Sequence, residues 1–302
     1  MRLERSANAM GTTFLVEIYG SDENRMRNAA EQAFAEVRRL DRMLSHYIAD
    51  SELSRVNECA GKNPVKVSRE LFDLLKTCES YSLESEGTFD ITVGPLVKAW
   101  GFYKGSGRLP TRREIRAALS NVGYQNLKLD STNLTVRFKK PGVNLDPGGV
   151  GKGYAVDRMV DVLLRNGIDC ALVSAGGSSI FGIGAPPNDQ RGWYIRVRDP
   201  KEENRTAADV YLKNNSISTS GNYEKFFWAN GKLYSHIMDP RTGYPSEHVV
   251  SVSVIAPRTL DSEIWAKPYY ILGRSWTERH KPKDFRVLMC EDKLGAECAW
   301  VP

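Results

Sequence analysis

Chemistry concentrates in Ser235-His236-Ile237-Met238-Asp239-Pro240-Arg241-Thr242-Gly243-Tyr244-Pro245, where a histidine, an aspartate and an arginine surround two turn-forming residues. A histidine titrates near neutrality and can accept a proton, while Pro240 and Gly243 hold the backbone in shapes that a helix does not allow. Taken alone, the stretch is equally an ordinary hairpin, because Asp-Pro and Thr-Gly are common turn pairs. A second concentration is Leu145-Asp146-Pro147-Gly148-Gly149-Val150-Gly151-Lys152-Gly153-Tyr154, four glycines and a lysine at the opening of a helix. Backbone N–H groups at a helix N-terminus, with a cation beside them, suit a phosphate. The stretch is not a Walker loop, since the glycine spacing before Lys152 differs and Gly153 follows it instead of a hydroxyl residue. It does not match the dinucleotide fingerprint either, and a glycine-rich tight turn is the plainer reading. Ala175-Gly176-Gly177-Ser178-Ser179, after a strand, offers another close backbone approach. The hydroxyls of Ser218-Thr219-Ser220 form either a turn or a polar pocket wall. Asp90, set among apolar residues at 87–97, either ties down a loop or accepts a hydrogen bond from a ligand.

Elements must position these residues. Residues 13–19 alternate and are β-rich, which predicts a strand. Met26, Ala30, Ala33, Val37, Leu40 and Leu44 recur at three- and four-residue spacing, the stripe of an amphipathic helix. Ser68 caps a second helix running to Glu84, and Thr111 with Glu114 forms a capping box for a shorter one ending at a glycine cap near Gly123. Strands are predicted at 127–130, 134–138, 171–174, 193–198, 210–212, 216–219, 232–237 and 249–255, and helices at 154–166 and after Thr259. Strands outnumber helices and several pairs are joined by short turns. The expected fold is therefore α+β, a single domain over 1–302 with mainly antiparallel sheet flanked by helices.

A chain of 302 residues can bury a substantial core. The net charge of +5 is modest and its basic residues are scattered among acidic ones, which favours an anionic ligand over nucleic acid. No apolar run is long enough to cross a membrane, and residues 1–9 show neither a signal-peptide pattern nor a lipobox cysteine. The five cysteines, Cys59, Cys78, Cys170, Cys290 and Cys298, are widely spaced and odd in number, so buried thiols are expected instead of a disulfide framework or a zinc site.

Met10-Gly11-Thr12-Thr13-Phe14, Asp50-Ser51-Glu52-Leu53-Ser54-Arg55-Val56-Asn57, residues 87–97, residues 146–157, Ala175-Gly176-Gly177, Thr219-Ser220-Gly221 and the His236 turn follow one another in the order seen in the ApbE family. The chain resembles these FAD:protein FMN transferases from end to end. The resemblance implies binding of FAD and transfer of its FMN half to a Thr or Ser hydroxyl of an acceptor protein, with release of AMP. Such a reaction needs positioning, charge neutralisation and a base. By resemblance His236 is the base, with Asp239 and Thr242 holding its loop. Met10, Tyr47, Thr88, Phe89, Asp90, Gly148, Lys152, Tyr154, Gly176, Gly177 and Ile237 line the FAD site. The rings of Tyr47 and Phe89 suit packing near a flavin or adenine, with plain core as the other reading. The resemblance also implies magnesium and a periplasmic or lipid-anchored location.

One region departs from the pattern. The family's metal site ends in an Asp, followed four residues later by a Thr, on the helix after a Val-Ile-Ala-Pro strand. Here Glu263 stands at the Asp position and Lys267 at the Thr position. Gly151, where the family has Ala, would ligate through its backbone carbonyl and so tolerates the change. Glu263 can still ligate magnesium at longer reach, whereas a protonated lysine cannot. In one reading the Lys267 ammonium neutralises the pyrophosphate and partly replaces the metal. In another the chain is an FAD-binding paralogue without transferase activity. In a third Lys267 points to solvent or pairs with Glu263 one turn away. Hydrolysis of FAD to FMN and AMP would use the same residues. Pro268 is expected to disturb this helix.

Overall fold

The computed structural model describes residues 1–202, 204–292 and 297–302. They cluster into two units built from separated stretches: Met1–Asp41, Val150–Ser220 and His248–Pro302 in the first, Arg42–Gly149 and Gly221–Glu247 in the second.

The first unit is organised on an eight-stranded sheet in chain order: Arg2–Ala9, Thr12–Tyr19, Ala171–Ala175, Ser179–Ile183, Asn215–Gly221, Val249–Ala256, Arg286–Glu291 and Glu297–Val301. The pairing is mainly antiparallel. Arg2–Ala9 carries no apolar alternation because it is an edge strand of which Leu3 is the fully buried residue, so periodicity could not find it. Val249–Ala256 is buried at every position, as a strand covered on both faces should be. The amphipathic stripe predicted from Met26 onward lies in the Glu23–Leu44 helix, with Met26, Ala30, Ala33, Val37 and Leu40 buried.

Two expectations are corrected in this unit. Cys290 and Cys298 form a disulfide across adjacent strands, which bring them directly opposite each other; their spacing in sequence gave no sign of it. Of the remaining thiols Cys78 is buried, Cys170 partly buried and Cys59 exposed. The helix after Thr259 runs without a break to Leu272 through Pro268, so the proline does not interrupt it.

The second unit holds the helices Glu52–Cys59, Arg69–Glu84, Gly94–Ala99 and Arg112–Leu119, a three-stranded sheet, and the hairpin of Phe226–Ala229 with Lys232–Ser235. Ser68 and the Thr111–Glu114 box cap their helices as predicted. The second of these ends on Ser120, short of Gly123, whose N–H instead donates to Thr92 Oγ1 at 2.8 Å. Trp100, Phe102, Ile115 and Met238 form an apolar cluster under the hairpin and the His236 turn.

Candidate active site

In the second unit the predicted strand at 232–237 ends at Ser235, and His236 begins the turn. The His236 N–H donates to the Lys225 carbonyl at 3.0 Å, and its ring Nδ1 lies 3.1 Å from the same oxygen. A carbonyl only accepts, so Nδ1 is the donor in that contact, and in the neutral ring Nε2 is the atom that can take up a proton. This is the tautomer of a general base held in a fixed orientation. The turn beyond it is braced by its own residues. Asp239 is buried, binds Arg241 through both carboxylate oxygens at 3.0 Å each, and accepts from the Arg241 N–H at 2.9 Å. Thr242 Oγ1 accepts from the Tyr244 N–H at 3.3 Å. Gly243 sits at φ 79°, where a side chain would be strained, and its carbonyl accepts from the Trp100 indole at 2.9 Å. Asp239 and Thr242 are thus positioning residues for the turn.

Asp90 ties down a loop. One carboxylate oxygen accepts from the Thr92 N–H at 2.8 Å and hydroxyl at 2.7 Å, and the other from the Tyr124 N–H at 2.6 Å. Burial nevertheless pushes its pKa up, with these hydrogen bonds opposing. Phe89 is buried, and Thr88 donates to the Ser85 carbonyl at 2.7 Å. Tyr47, unlike Phe89, is accessible, 52% exposed, and stacks on Tyr103 with ring centroids 5.2 Å apart. His46 meets Tyr47 edge-on, and the Lys104 ammonium lies 5.5 Å above the Tyr47 ring. Below them a cavity of about 240 Å³ is lined by His46, Asn57, Lys98, Tyr103 and Asn144. Burial pushes the His46 pKa down, against the pull of Asp146. Asp146 in turn accepts from the Gly148 N–H at 2.8 Å.

In the first unit Gly151 and Gly153 of the glycine-rich stretch begin the Gly151–Arg165 helix, after a separate 3-10 turn at Pro147–Gly149. Neither this helix nor Thr259–Leu272 has a capping side chain of its own. They cap each other. Glu263 Oε2 accepts from the Gly153 N–H at 2.6 Å, and Asp157 accepts from the Thr259 and Leu260 N–H groups at 2.7 and 2.9 Å. Each carboxylate meets the positive end of the other helix, satisfying amides that would otherwise be orphaned. A Cβ at Gly153 would stand 2.6 Å from the Thr259 carbonyl oxygen and 2.9 Å from Glu263 Oε2, so only glycine permits this approach. The Gly153 amide is consequently committed to Glu263 and is not offered to a phosphate.

Lys267 does not point to solvent: it is partly buried and donates to the Glu263 carbonyl at 2.7 Å. Loss of water around its ammonium lowers its pKa to about 8, opposed by the Glu263 charge and assisted by that of Lys152. Lys152 itself donates to Ser178 Oγ, on the Gly176-Gly177 turn. Met10 donates its N–H to Asp41 at 3.1 Å and packs against Gly151. Ser218 and Thr219, predicted as turn or pocket wall, bond to Ser262 and Ser253 within the unit at 2.8 Å each.

A family description, the ApbE family, matches residues 10–287. The chain belongs to the ApbE family. Among its relatives, an FAD:protein FMN transferase of Klebsiella pneumoniae is 34% identical over 272 residues, covering 89% of this chain and 82% of that protein. One of Escherichia coli K12 is 34% identical over 274 residues, covering 87% and 76%. The fold superposes on the ApbE protein of Thermotoga maritima with a TM-score of 0.89 at 30% identity, over 99% of this chain and 96% of that one. The flavin transferase ApbE of Vibrio cholerae gives 0.86 at 27% identity, over 99% and 96%.

Within this ApbE-family fold, His236, Ile237, Asp239 and Thr242 share one turn, and Thr88, Phe89 and Asp90 share one buried loop. Ile237 is buried and contributes its carbonyl to the Ser246 N–H at 3.0 Å. Tyr154 lies in the first turn of its helix with its N–H on the Val150 carbonyl. Around Tyr47 the structure adds His46, Lys98, Tyr103 and Lys104, and it pairs Asp157, the end of the 146–157 stretch, with a second helix. The His46-Tyr47 pair and the Gly-rich stretch after Tyr103 were visible signals; the pairing of Asp157 with a helix about a hundred residues away was not.

Proposed function

We propose that this ApbE-family protein is an FAD:protein FMN transferase whose own lysines supply positive charge where a divalent cation is expected. The acceptor's Thr or Ser hydroxyl attacks the phosphorus of the FMN half and passes its proton to His236 Nε2. The bond from that phosphorus to the bridging oxygen breaks, and AMP leaves with that oxygen. The observation that carries this reading is the His236 ring, held by the Lys225 carbonyl in the tautomer of a base. Asp239, Arg241 and Thr242 keep the turn in place, and the Tyr47–Tyr103 stack offers an aromatic face for a flavin or adenine ring. Lys152 and Lys267 supply charge for the pyrophosphate. The family match runs through stretches of both units, which supports one working domain.

The donor set fits magnesium poorly. Among the described residues no group of three or more His, Cys, Asp or Glu side chains could hold a metal ion. Glu263 already accepts from the Gly153 N–H, and an ammonium stands one turn along. Magnesium prefers six oxygen ligands in octahedral array, and a neighbouring cation opposes it. Gly151 and Glu263 remain the residues that would hold it.

With FAD and an acceptor carrying a suitable Thr, the purified protein should give a covalently fluorescent flavin band in a magnesium-free buffer. Transfer that needs magnesium in the unchanged protein would defeat the lysine assignment, and FAD binding with no labelled protein under any condition would defeat the transferase. Lys267→Thr should make transfer respond to magnesium. The Cys290–Cys298 disulfide supports an oxidising compartment, in keeping with an exported protein. Alkylation of the denatured chain from acid-quenched cells should tag the three thiols of Cys59, Cys78 and Cys170 before reduction; tagging of Cys290 or Cys298 at that stage would refute the compartment.

A further inference from the structure

The second unit buries a polar atom that the transfer chemistry does not use. The His46 side chain is 10% exposed, and its ring Nδ1, covered from water, has no hydrogen-bond partner among the described residues. It lies 3.8 Å from Asp146 Oδ2, too far for a bond. An orphaned buried nitrogen costs stability, so its retention points to a use. A carboxylate only accepts, so this contact is satisfied only when Nδ1 carries a proton.

The same ring fixes Tyr47. His46 meets Tyr47 edge-on with centroids 4.2 Å apart and Tyr103 at 5.1 Å, while Tyr47 and Tyr103 stack at 5.2 Å, so each of the three rings touches the other two. The Tyr103 hydroxyl closes the set by donating to the His46 carbonyl at 2.8 Å. Stacking on Tyr103 covers one face of Tyr47, and the residue is still 52% exposed, which leaves the other face for a ligand. The Lys104 ammonium is 5.5 Å from one centroid and 5.6 Å from the other, so it stands beside the pair and not over that face. Asp146 also accepts from the Gly148 N–H at 2.8 Å. His46 thereby joins Tyr47 to the turn of Gly148, two residues expected at FAD.

We infer that His46 is a positioning residue for FAD, holding the Tyr47 ring and taking up a proton as the dinucleotide binds. The inference rests on the transferase reading, which requires FAD, and adds to it how FAD is held. Around the ring, Asp146 favours a proton, while the ammoniums of Lys98 and Lys104 oppose it. Glu58 lines the cavity beneath, beside Lys98 and Tyr103, and the Tyr47 phenol completes the set of titratable neighbours. Burial first, and then the two ammoniums, hold His46 below its ordinary pKa. FAD brings two phosphate charges of opposite sign, which offset Lys98 and Lys104. The ring is already buried, so a ligand strips little further water from it and charge decides the direction. Bound FAD therefore raises the His46 pKa, and the proton gained lets Nδ1 donate to Asp146. Affinity linked in this way is greatest at low pH and is lost as pH rises.

Calorimetric titration of the unchanged protein with FAD, in two buffers of different ionisation heat, should show uptake of part of a proton at about pH 6.5. FAD should bind about fivefold more tightly at pH 5.5 than at pH 7.5. His46→Gln should take up no proton, lose this pH dependence and bind FAD about threefold more weakly at pH 7.5, since Tyr47 loses the ring against it. A residue that merely filled space would leave the pH dependence in place. The chain has four histidines, so magnetic resonance spectra of protein labelled at histidine Cε1 follow each titration in the intact protein. His236→Asn, His248→Asn and His280→Asn assign the other three without altering His46. The His46 midpoint should move to higher pH when FAD is added. An unmoved or lowered midpoint, or proton uptake that persists in His46→Gln, overturns the inference and leaves the transferase reading intact. If the unchanged protein binds no FAD at any pH, the transferase reading fails, and His46 has no ligand to position.

Discussion

Replacing Lys267 with Met should make the protein more stable and less active. Loss of water lowers the Lys267 pKa from 10.5 to about 8, and this difference corresponds to about 3 kcal/mol borne by the folded state at neutral pH. Because the folded pKa lies below the unfolded one, the unfolded chain holds a proton between pH 8 and 10.5 that the folded chain has released. Unfolding free energy therefore rises with pH across that window by about 1.4 kcal/mol per pH unit, and the contribution is lost as pH falls through about 8. Methionine keeps the stem and carries no charge, so Lys267→Met should gain up to about 3 kcal/mol at pH 7, less the hydrogen bond to Glu263, with the gain shrinking toward pH 10. Urea denaturation of both proteins at several pH values measures it. The same variant should transfer flavin far more slowly, because a charge kept at a cost to stability is expected to serve function. An equal or lower stability at pH 7, or a difference that does not vary with pH, would refute a desolvated ammonium at this position.

Three further outcomes are expected. His236→Asn should lower the rate of flavin transfer by at least about 100-fold with FAD affinity retained, since it removes the ring nitrogen proposed to take the proton; stopped-flow labelling and fluorescence titration measure the two. Gly153→Ala should destabilise by about 2 kcal/mol, seen as a lower Tm, because its Cβ would press within 2.6 Å of the Thr259 carbonyl oxygen; a wild-type Tm would contradict the contact between the two helices. Burial raises the Asp157 pKa to about 6, so folding takes up a proton there, and its contribution is full below the ordinary value of 3.8 and lost as pH rises through about 6. Wild type compared with Asp157→Asn should accordingly gain in unfolding free energy from pH 7 to pH 5, as read by urea titration.

Much of this arrangement was legible in residue order. The stripe from Met26 to Leu44, the cap at Ser68 and the box at Thr111 are local patterns, decided by side chains within one or two turns, and each recurs in the structure. The helix end near Gly123 was misplaced because that glycine's N–H answers Thr92 instead of closing a helix. The strand Arg2–Ala9 escaped notice because an edge strand needs no apolar alternation. The Cys290–Cys298 pair escaped because register, which sequence spacing does not encode, puts the two residues opposite each other.

By itself the sequence determined the kinds of groups available: a histidine beside turn-forming residues, a glycine-rich helix start, and a lysine four residues after Glu263. These follow from residue identity and short spacing. Which group meets which was decided by tertiary structure. Only there does Lys225 set the His236 tautomer, only there do Glu263 and Asp157 exchange caps between two helices, and only there is Lys267 drawn out of water. Hydrogen bonding and desolvation depend on distances between residues far apart in the chain, and those distances exist only once it has folded.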